Sequence, residues 1–197
     1  MSSVVISGDT SGAITVAAPA VSGTNTLTLQ AATATSAVNT LGTVNAGGTN
    51  PFPSSGGPAV VDYTGLPAWV KKITVMFVGV STSGTSPIQI QIGNTSPEIT
   101  GYLSGAQTAG SAANITSGFS LEQSCAATSV RHGMAFISTL GSNVWSYSTI
   151  TNRSDTAAIS WGSGSKTTSG TLDRVRVTTV NGTDTFDAGT INILYEG

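Results

Sequence analysis

Residues 170–197 read GTLDRVRVTTVNGTDTFDAGTINILYEG, and their patterning decides the fold class. Across 172–180, charged or hydroxyl side chains alternate with Val175 and Val177. Across 190–195, Ile191, Ile193 and Tyr195 share one face. A period of two means strands with one face in a core and the other in water. Between the two runs lie Asn181-Gly182 and a polar loop through Gly189. The expectation is an antiparallel pair, closed by a tight turn at Asn181-Gly182 or by a wider loop reaching Gly189. An isolated pair of strands is marginal in water, so this one predicts a larger sheet.

The same pattern recurs upstream. Residues 72–80 are apolar on both parities, with Ile73, Val75 and Phe77 on one and Met76, Val78 and Val80 on the other. Both faces of such a strand need cover. One is expected in the protomer core and the other against a neighbouring subunit or a further layer. Residues 88–92 alternate, with Gln89 and Gln91 expected to point outward. They are expected to form a hairpin with 72–80 across Ser83-Gly84-Thr85. Leu66-Pro67-Ala68-Trp69 reads as a turn that seats Trp69 before the long strand. Further strands are expected at 60–61, 99–103, 114–121, 130–140, 143–150 and 156–161. The polar stretch 93–118 reads as a long surface loop, and loops carry recognition more often than cores do. Many short strands at roughly 8–12-residue spacing, with no convincing helix, predict an all-β antiparallel sandwich, jelly-roll-like as first choice.

The N-terminal part differs. Residues 3–6, 13–17 and 26–30 are strand-like and separated by turn residues. Three such strands cannot bury a core alone. They form either a stem wound from several chains or an arm with transient strands. Residues 31–58 turn Ala/Thr/Ser-rich and then Gly/Pro/Ser-rich, a linker composition. The expected organisation is an attachment or stem segment over 1–58 and a sandwich domain over 59–197.

Composition narrows the function classes. Charged residues are 8% of the 197, against about 25% in ordinary soluble proteins. The surface must therefore be built from Ser, Thr, Asn, Gln and Gly. A net charge of −2 gives no electrostatic footprint for nucleic acid or an anionic membrane. With 39% apolar residues and little charge, the chain does not read as disordered. Cys125 is the single cysteine, so no intrachain disulfide can form, and it is expected to act as a buried small apolar residue. No apolar run approaches the 18 or so residues of a membrane helix, and no signal peptide is expected.

Two stretches, 170–197 above and DYTGLPAWVKKITVMFVGVSTSGTSPIQIQIG at 62–93, resemble bacteriophage tail-fibre and virion-appendage proteins. The run VVISGDTSGAITVAAPAVSGTNTLTLQAAT at 4–33 is similar to the short repeat-like stretch that often precedes such domains. The resemblance implies a homotrimer, made in a bacterial cytoplasm and carried on the virion. Its N-terminal segment would join other virion proteins, and its C-terminal domain would touch a host cell-surface glycan or protein. The alternative is a purely structural head fibre or capsid decoration protein.

No catalytic centre is expected. Residues 7–12, SGDTSG, resemble the surround of a serine nucleophile. A triad also needs an oriented base, and His132 is the sole histidine, with no matching motif. Asp184 and Asp187 share a loop, but two carboxylates do not make a metal site, and Asp184 is expected to cap a turn. No cofactor or metal is expected. Trp145, Tyr147 and Trp161 are the aromatics able to stack on sugar rings; Trp145 is assigned to the core, and Trp161 to a loop over 162–165. Trp161, Arg153, Arg131 and His132 are the receptor-binding candidates.

Overall fold

A computed structural model describes residues 51–197, together with the backbone of two strands nearer the N-terminus. The expected strand at 26–30, the SGDTSG turn and the linker up to residue 50 lie outside the described residues. The chain divides into two units, Met1–Thr35 and Ser36–Gly197. In the first, β1 (Ser3–Ser7) and β2 (Ala13–Ala17) lie where strands are expected and pair antiparallel with each other.

The second unit is all-β. Its strands are β3 (Val60–Thr64), β4 (Lys72–Thr82), β5 (Ile88–Asn94), β6 (Ser96–Pro97), β7 (Leu103–Thr108) and β8 (Ser111–Ile115), then β9 (Phe119–Ser120), β10 (Arg131–Gly141), β11 (Val144–Arg153), β12 (Ala158–Thr167), β13 (Arg174–Thr179) and β14 (Phe186–Glu196). They form two antiparallel sheets. One has seven strands in the order β14-β4-β10-β11-β12-β7-β8; the other runs β3-β13-β5-β6, with β9 also on β5.

The inner faces meet in one core. Ile73, Val75, Phe77, Ala135, Ile137, Tyr147, Ile191 and Ile193 from the larger sheet pack with Val61, Ile88, Ile90, Ile92, Val175 and Val177 from the smaller one. Phe119 stacks on Tyr147 at 4.6 Å and meets Tyr102 edge-on at 4.9 Å. Tyrosine hydroxyls tie the layers. Tyr63 on β3 donates to the Ile191 carbonyl on β14 at 2.6 Å, and Tyr147 on β11 donates to the Ser120 carbonyl on β9 at 3.0 Å. Each is buried and each finds an acceptor, which offsets the cost of placing a hydroxyl in a core. Burial pushes both phenols far above their ordinary range. Trp145 is in this core, as its strand parity predicts.

Two expected hairpins are corrected. β13 and β14 do not pair: β13 lies between β3 and β5 in the smaller sheet, and β14 lies on β4 in the larger. β4 and β5 are likewise in different sheets. Both connections are arches over the edge of the core, and they lean on one another. Ser83 N–H donates to the Thr185 carbonyl at 2.8 Å, and Val180 N–H to the Pro87 carbonyl at 2.9 Å. Ser86 N–H donates to Asp184 Oδ2 at 2.9 Å. Asp184 thus caps a turn, that of the neighbouring arch. A Cβ on Gly84 would sit 2.2 Å from the Asp184 carboxylate, so any larger residue there would displace the side chain that caps the arch.

Asn181 explains why its turn signal misleads. A two-residue hairpin of type I′ needs positive φ at both central positions. Ser142-Asn143 (φ 50 and 60) between β10 and β11, and Ala109-Gly110 (φ 49 and 86) between β7 and β8, satisfy this. At 181–182 only Gly182 has positive φ. Asn181 instead spends its side chain on the arch, with Oδ1 accepting from the Thr183 and Asp184 amides at 3.1 and 3.2 Å.

Other differences follow from packing. The expected surface loop 93–118 contains β6, β7 and β8, and the β7–β8 hairpin extends the larger sheet. The strand expected at 99–103 starts only at Leu103. Residues 162–165 are the middle of β12, not a loop. The boundary placed at Pro58 falls inside packed chain: Phe52 is buried and stacks on Phe186 at 5.2 Å.

Candidate interaction surface

The outer faces of the two sheets differ in kind. On the smaller sheet the outward positions of β3, β13 and β5 run Asp62, Arg176 and Gln91 in register, then Val60, Thr178 and Gln89. Arg176 makes a two-pronged ion pair with Asp62, at 2.7 and 2.6 Å. Gln89 and Gln91 are buried, which corrects their expected outward exposure. The chain itself covers them: Gln91 Nε2 donates to the Ser117 carbonyl at 2.9 Å, and Ser117 Oγ donates to Gln89 Oε1 at 2.8 Å. This face is polar, internally paired and roofed.

On the larger sheet the outward row reads Asn192, Met76, Met134, Ile150, Trp161 and Gln107, each directly opposite the next across β14, β4, β10, β11, β12 and β7. Four successive members are large and apolar. Phe136 and Ser148 continue the adjacent row on one side, and Asn152 and Ile159 the row on the other. Val78, Met134, Phe136, Ile150, Ile159 and Trp161 are between 38% and 71% exposed. The face is grooved. A hollow of about 270 Å³ lies beside Met134, Phe136 and Ile150, and another of about 210 Å³ beside Trp161 and Ala112. At one end Lys72 pairs with Glu196 at 3.0 Å, with its ammonium 6.0 Å from the Phe136 ring. The apolar row itself carries no charge.

A bulge shapes the other end. Val78 and Gly79 on β4 together oppose the single residue His132 on β10, one residue too many for the ladder. The Gly79 N–H, with φ at 65°, donates instead to His132 Nδ1 at 3.2 Å, and His132 Nε2 lies 3.2 Å from Ser154 Oγ. His132 therefore serves as a brace between a bulge and the loop after β11.

The four receptor candidates separate. Trp161 is exposed, in the middle of a strand. His132 is half-buried on the same outward face. Arg153 faces Asp155, with Nη2 to Oδ2 at 2.6 Å; hydrogen bonds from Arg153 and the Val130 amide hold that carboxyl far below its usual range. Arg131 is corrected outright. It points inward with no exposed surface, its Nε 2.5 Å from Glu122 Oε1, so it does not reach a receptor. An arginine facing the interior needs a buried carboxylate, since an unpaired charge there is prohibitive. Cys125, half-buried rather than buried, lies near this pair. Burial, with the Glu122 charge, pushes its thiol up to about 11, so it stays protonated at neutral pH.

Among the described residues no group of three or more His, Cys, Asp or Glu could hold a metal ion. Asp187 accepts from Ser81 Oγ and Asp184 from Ser86 N–H, so the two carboxylates serve different partners. The chain matches no protein-family model, no curated protein and no solved structure.

Sequence reading found Trp161 but missed Met134, Phe136, Ile150 and Ile159. The usable signal was the one already seen in 72–80. Within 134–137, Met134 and Phe136 alternate with Ala135 and Ile137, so both parities are apolar.

Proposed function

We propose that this chain is a non-enzymatic structural protein of a bacteriophage appendage whose sandwich domain meets the bacterial surface. The observation that carries the reading is where the fibre-like stretches fall. Residues 62–93 supply β3, β4 and β5, and residues 170–197 supply β13 and β14; together they are the two interlocked arches and the strands beside them. The likeness to fibre proteins thus lies on the element that joins the two layers. Two strand pairs that cross together between sheets also favour a jelly-roll-like winding. A surface of hydroxyls and amides with little charge suits a particle exposed outside a cell.

In this reading the N-terminal segment joins other virion proteins and three copies assemble. Receptor contact is assigned to the end loop at 154–157, where Ser154, Asp155, Thr156 and Ala157 are exposed and Arg153 and His132 stand at the base. The partner is a host surface glycan or protein. A purely structural head fibre or decoration protein is the second reading. Burial of Arg131 and the pairing of Arg153 with Asp155 favour it, because they tie up two of the three polar candidates.

Two measurements test the proposal. Soluble protein is added to host cells before infection, and labelled protein is located on the particle by electron microscopy. Blocked adsorption with label on the tail is expected. Label on the capsid with unchanged adsorption selects the second reading. Release of reducing ends from host polysaccharide would sink the non-enzymatic assignment.

A further inference from the structure

We propose that the outward row Met76, Met134, Ile150 and Trp161, with Phe136 and Ile159 beside it, is the surface through which copies of this chain assemble on one another. The two outer faces of this domain contrast. The outer face of the smaller sheet shows how this sequence finishes a face within the protomer: an Arg–Asp pair, with a buried threonine and buried amides under a roof of its own chain. The larger sheet places large apolar side chains at the equivalent outward positions, contiguous in register across four strands.

The patch is also large. The exposed fractions of these side chains leave on the order of 600 Å² of apolar surface in one patch, the upper end of what a monomer shows. A standard interface buries about 800 Å² per partner, so the patch with its polar rim is large enough for a specific contact.

The chemistry of the patch fits a second copy of this chain. The row has no charge, so it offers nothing to steer or select a charged partner, and two copies brought face to face meet no like-charge repulsion. The hollows beside Met134 and beside Trp161 are of side-chain size, and the row itself supplies side chains to fill them. Trp161 stands between Ile150 and Gln107, so its apolar neighbour lies on the side of the row. Three such faces turned towards a common axis form a prism with an apolar inside, which also removes this apolar patch of each protomer from water. Only that stoichiometry rests on the appendage reading; the choice of face does not.

The test uses the full chain. Molar mass is measured by sedimentation at micromolar concentration for the native protein, Ile150→Lys and, as a control outside the face, Thr183→Lys. A trimer is expected for the native protein and the control, and a folded monomer for Ile150→Lys. Oxidation of Met134 by dilute peroxide, read by mass spectrometry on the native protein, needs no mutation to fold. Oxidation is expected to slow several-fold as concentration rises through assembly. An Ile150→Lys variant that keeps the native mass overturns the proposal, as does a Met134 rate independent of concentration. Protection of Met134 in a monomer would mean that the chain covers the face itself, and would overturn it too. So would binding of host polysaccharide to the monomer that is lost in Trp161→Ala. Trimers that use this face but neither bind cells nor locate to a particle would retire the appendage reading and leave this inference standing.

Discussion

The two sheets share one core yet present opposite outer faces. The smaller sheet turns Asp62, Arg176, Thr178, Gln89 and Gln91 outward, and its chain folds back over the glutamines. The larger sheet turns Met76, Met134, Ile150 and Trp161 outward and leaves most of them open. Both faces come from alternating antiparallel strands, of 5–7 residues in β3, β13 and β5 and of 10–11 residues in β4, β10, β11, β12 and β14. The outward residues of the two sheets differ in kind. One face is finished within the protomer; the other is left open, and it is the face proposed above for assembly.

The largest expected effect tests what the faces have in common. Phe119→Ala removes the ring between Tyr102 and Tyr147 and leaves a cavity that rigid strands close poorly. Chemical denaturation should show a loss of about 3–5 kcal/mol in one transition, because both sheets depend on the same core. Two separate transitions would mean that the sheets are independent.

Tyr63→Phe keeps the ring and removes the hydroxyl that ties β3 to β14. A cost of about 1 kcal/mol is expected in the same assay, with unchanged assembly, because the lost bond lies inside the protomer. On the finished face, a double-mutant cycle on Asp62 and Arg176 should give a coupling of about 0.5–1 kcal/mol, since both groups are partly open to solvent.

Acid sharpens the contrast, because the row on the open face has nothing to titrate. Burial alone would raise the Glu98 carboxyl, but hydrogen bonds from Lys166 and from the Ser169 amide outweigh it and lower the group below its usual value. A carboxyl lowered in the folded state stabilises above its unfolded pKa. That contribution is lost as pH falls through the carboxylate range. The melting temperature of the native protein should therefore drop further between about pH 6 and about pH 3 than that of Glu98→Gln.

The smallest effect on protomer stability is expected on the open face. Ile150→Thr should change the unfolding free energy of the monomer by about 0.5 kcal/mol or less, because the side chain is mostly exposed and threonine suits a strand. The same substitution should weaken assembly measurably by sedimentation. An equal loss in both would erase the distinction between a finished face and an unfinished one.

Much of the fold was legible from period-two alternation alone. The strands at 72–82, 88–94, 131–141, 144–153 and 186–196 lie close to where Val, Ile and aromatic residues alternate with polar ones, because a strand between core and water admits little else. The inward placement of Ile73, Val75, Phe77, Ile191 and Ile193 follows for the same reason. Part of the open face was legible too, in the two apolar parities of 72–80. Which strand pairs with which was not. Alternation states that a strand has two sides, but it does not name a neighbour. At 83–87 and 180–185 the turn residues close arches, because each arch takes its hydrogen bonds from the other, about a hundred residues away. The same limit hid Arg131, whose charge reads as surface until Glu122 is found beside it, and Gln89, whose cover arrives from Ser117. Strand character and sidedness are local and belong to the sequence; partners, arches and cover depend on distant segments meeting, and only the tertiary structure decides them.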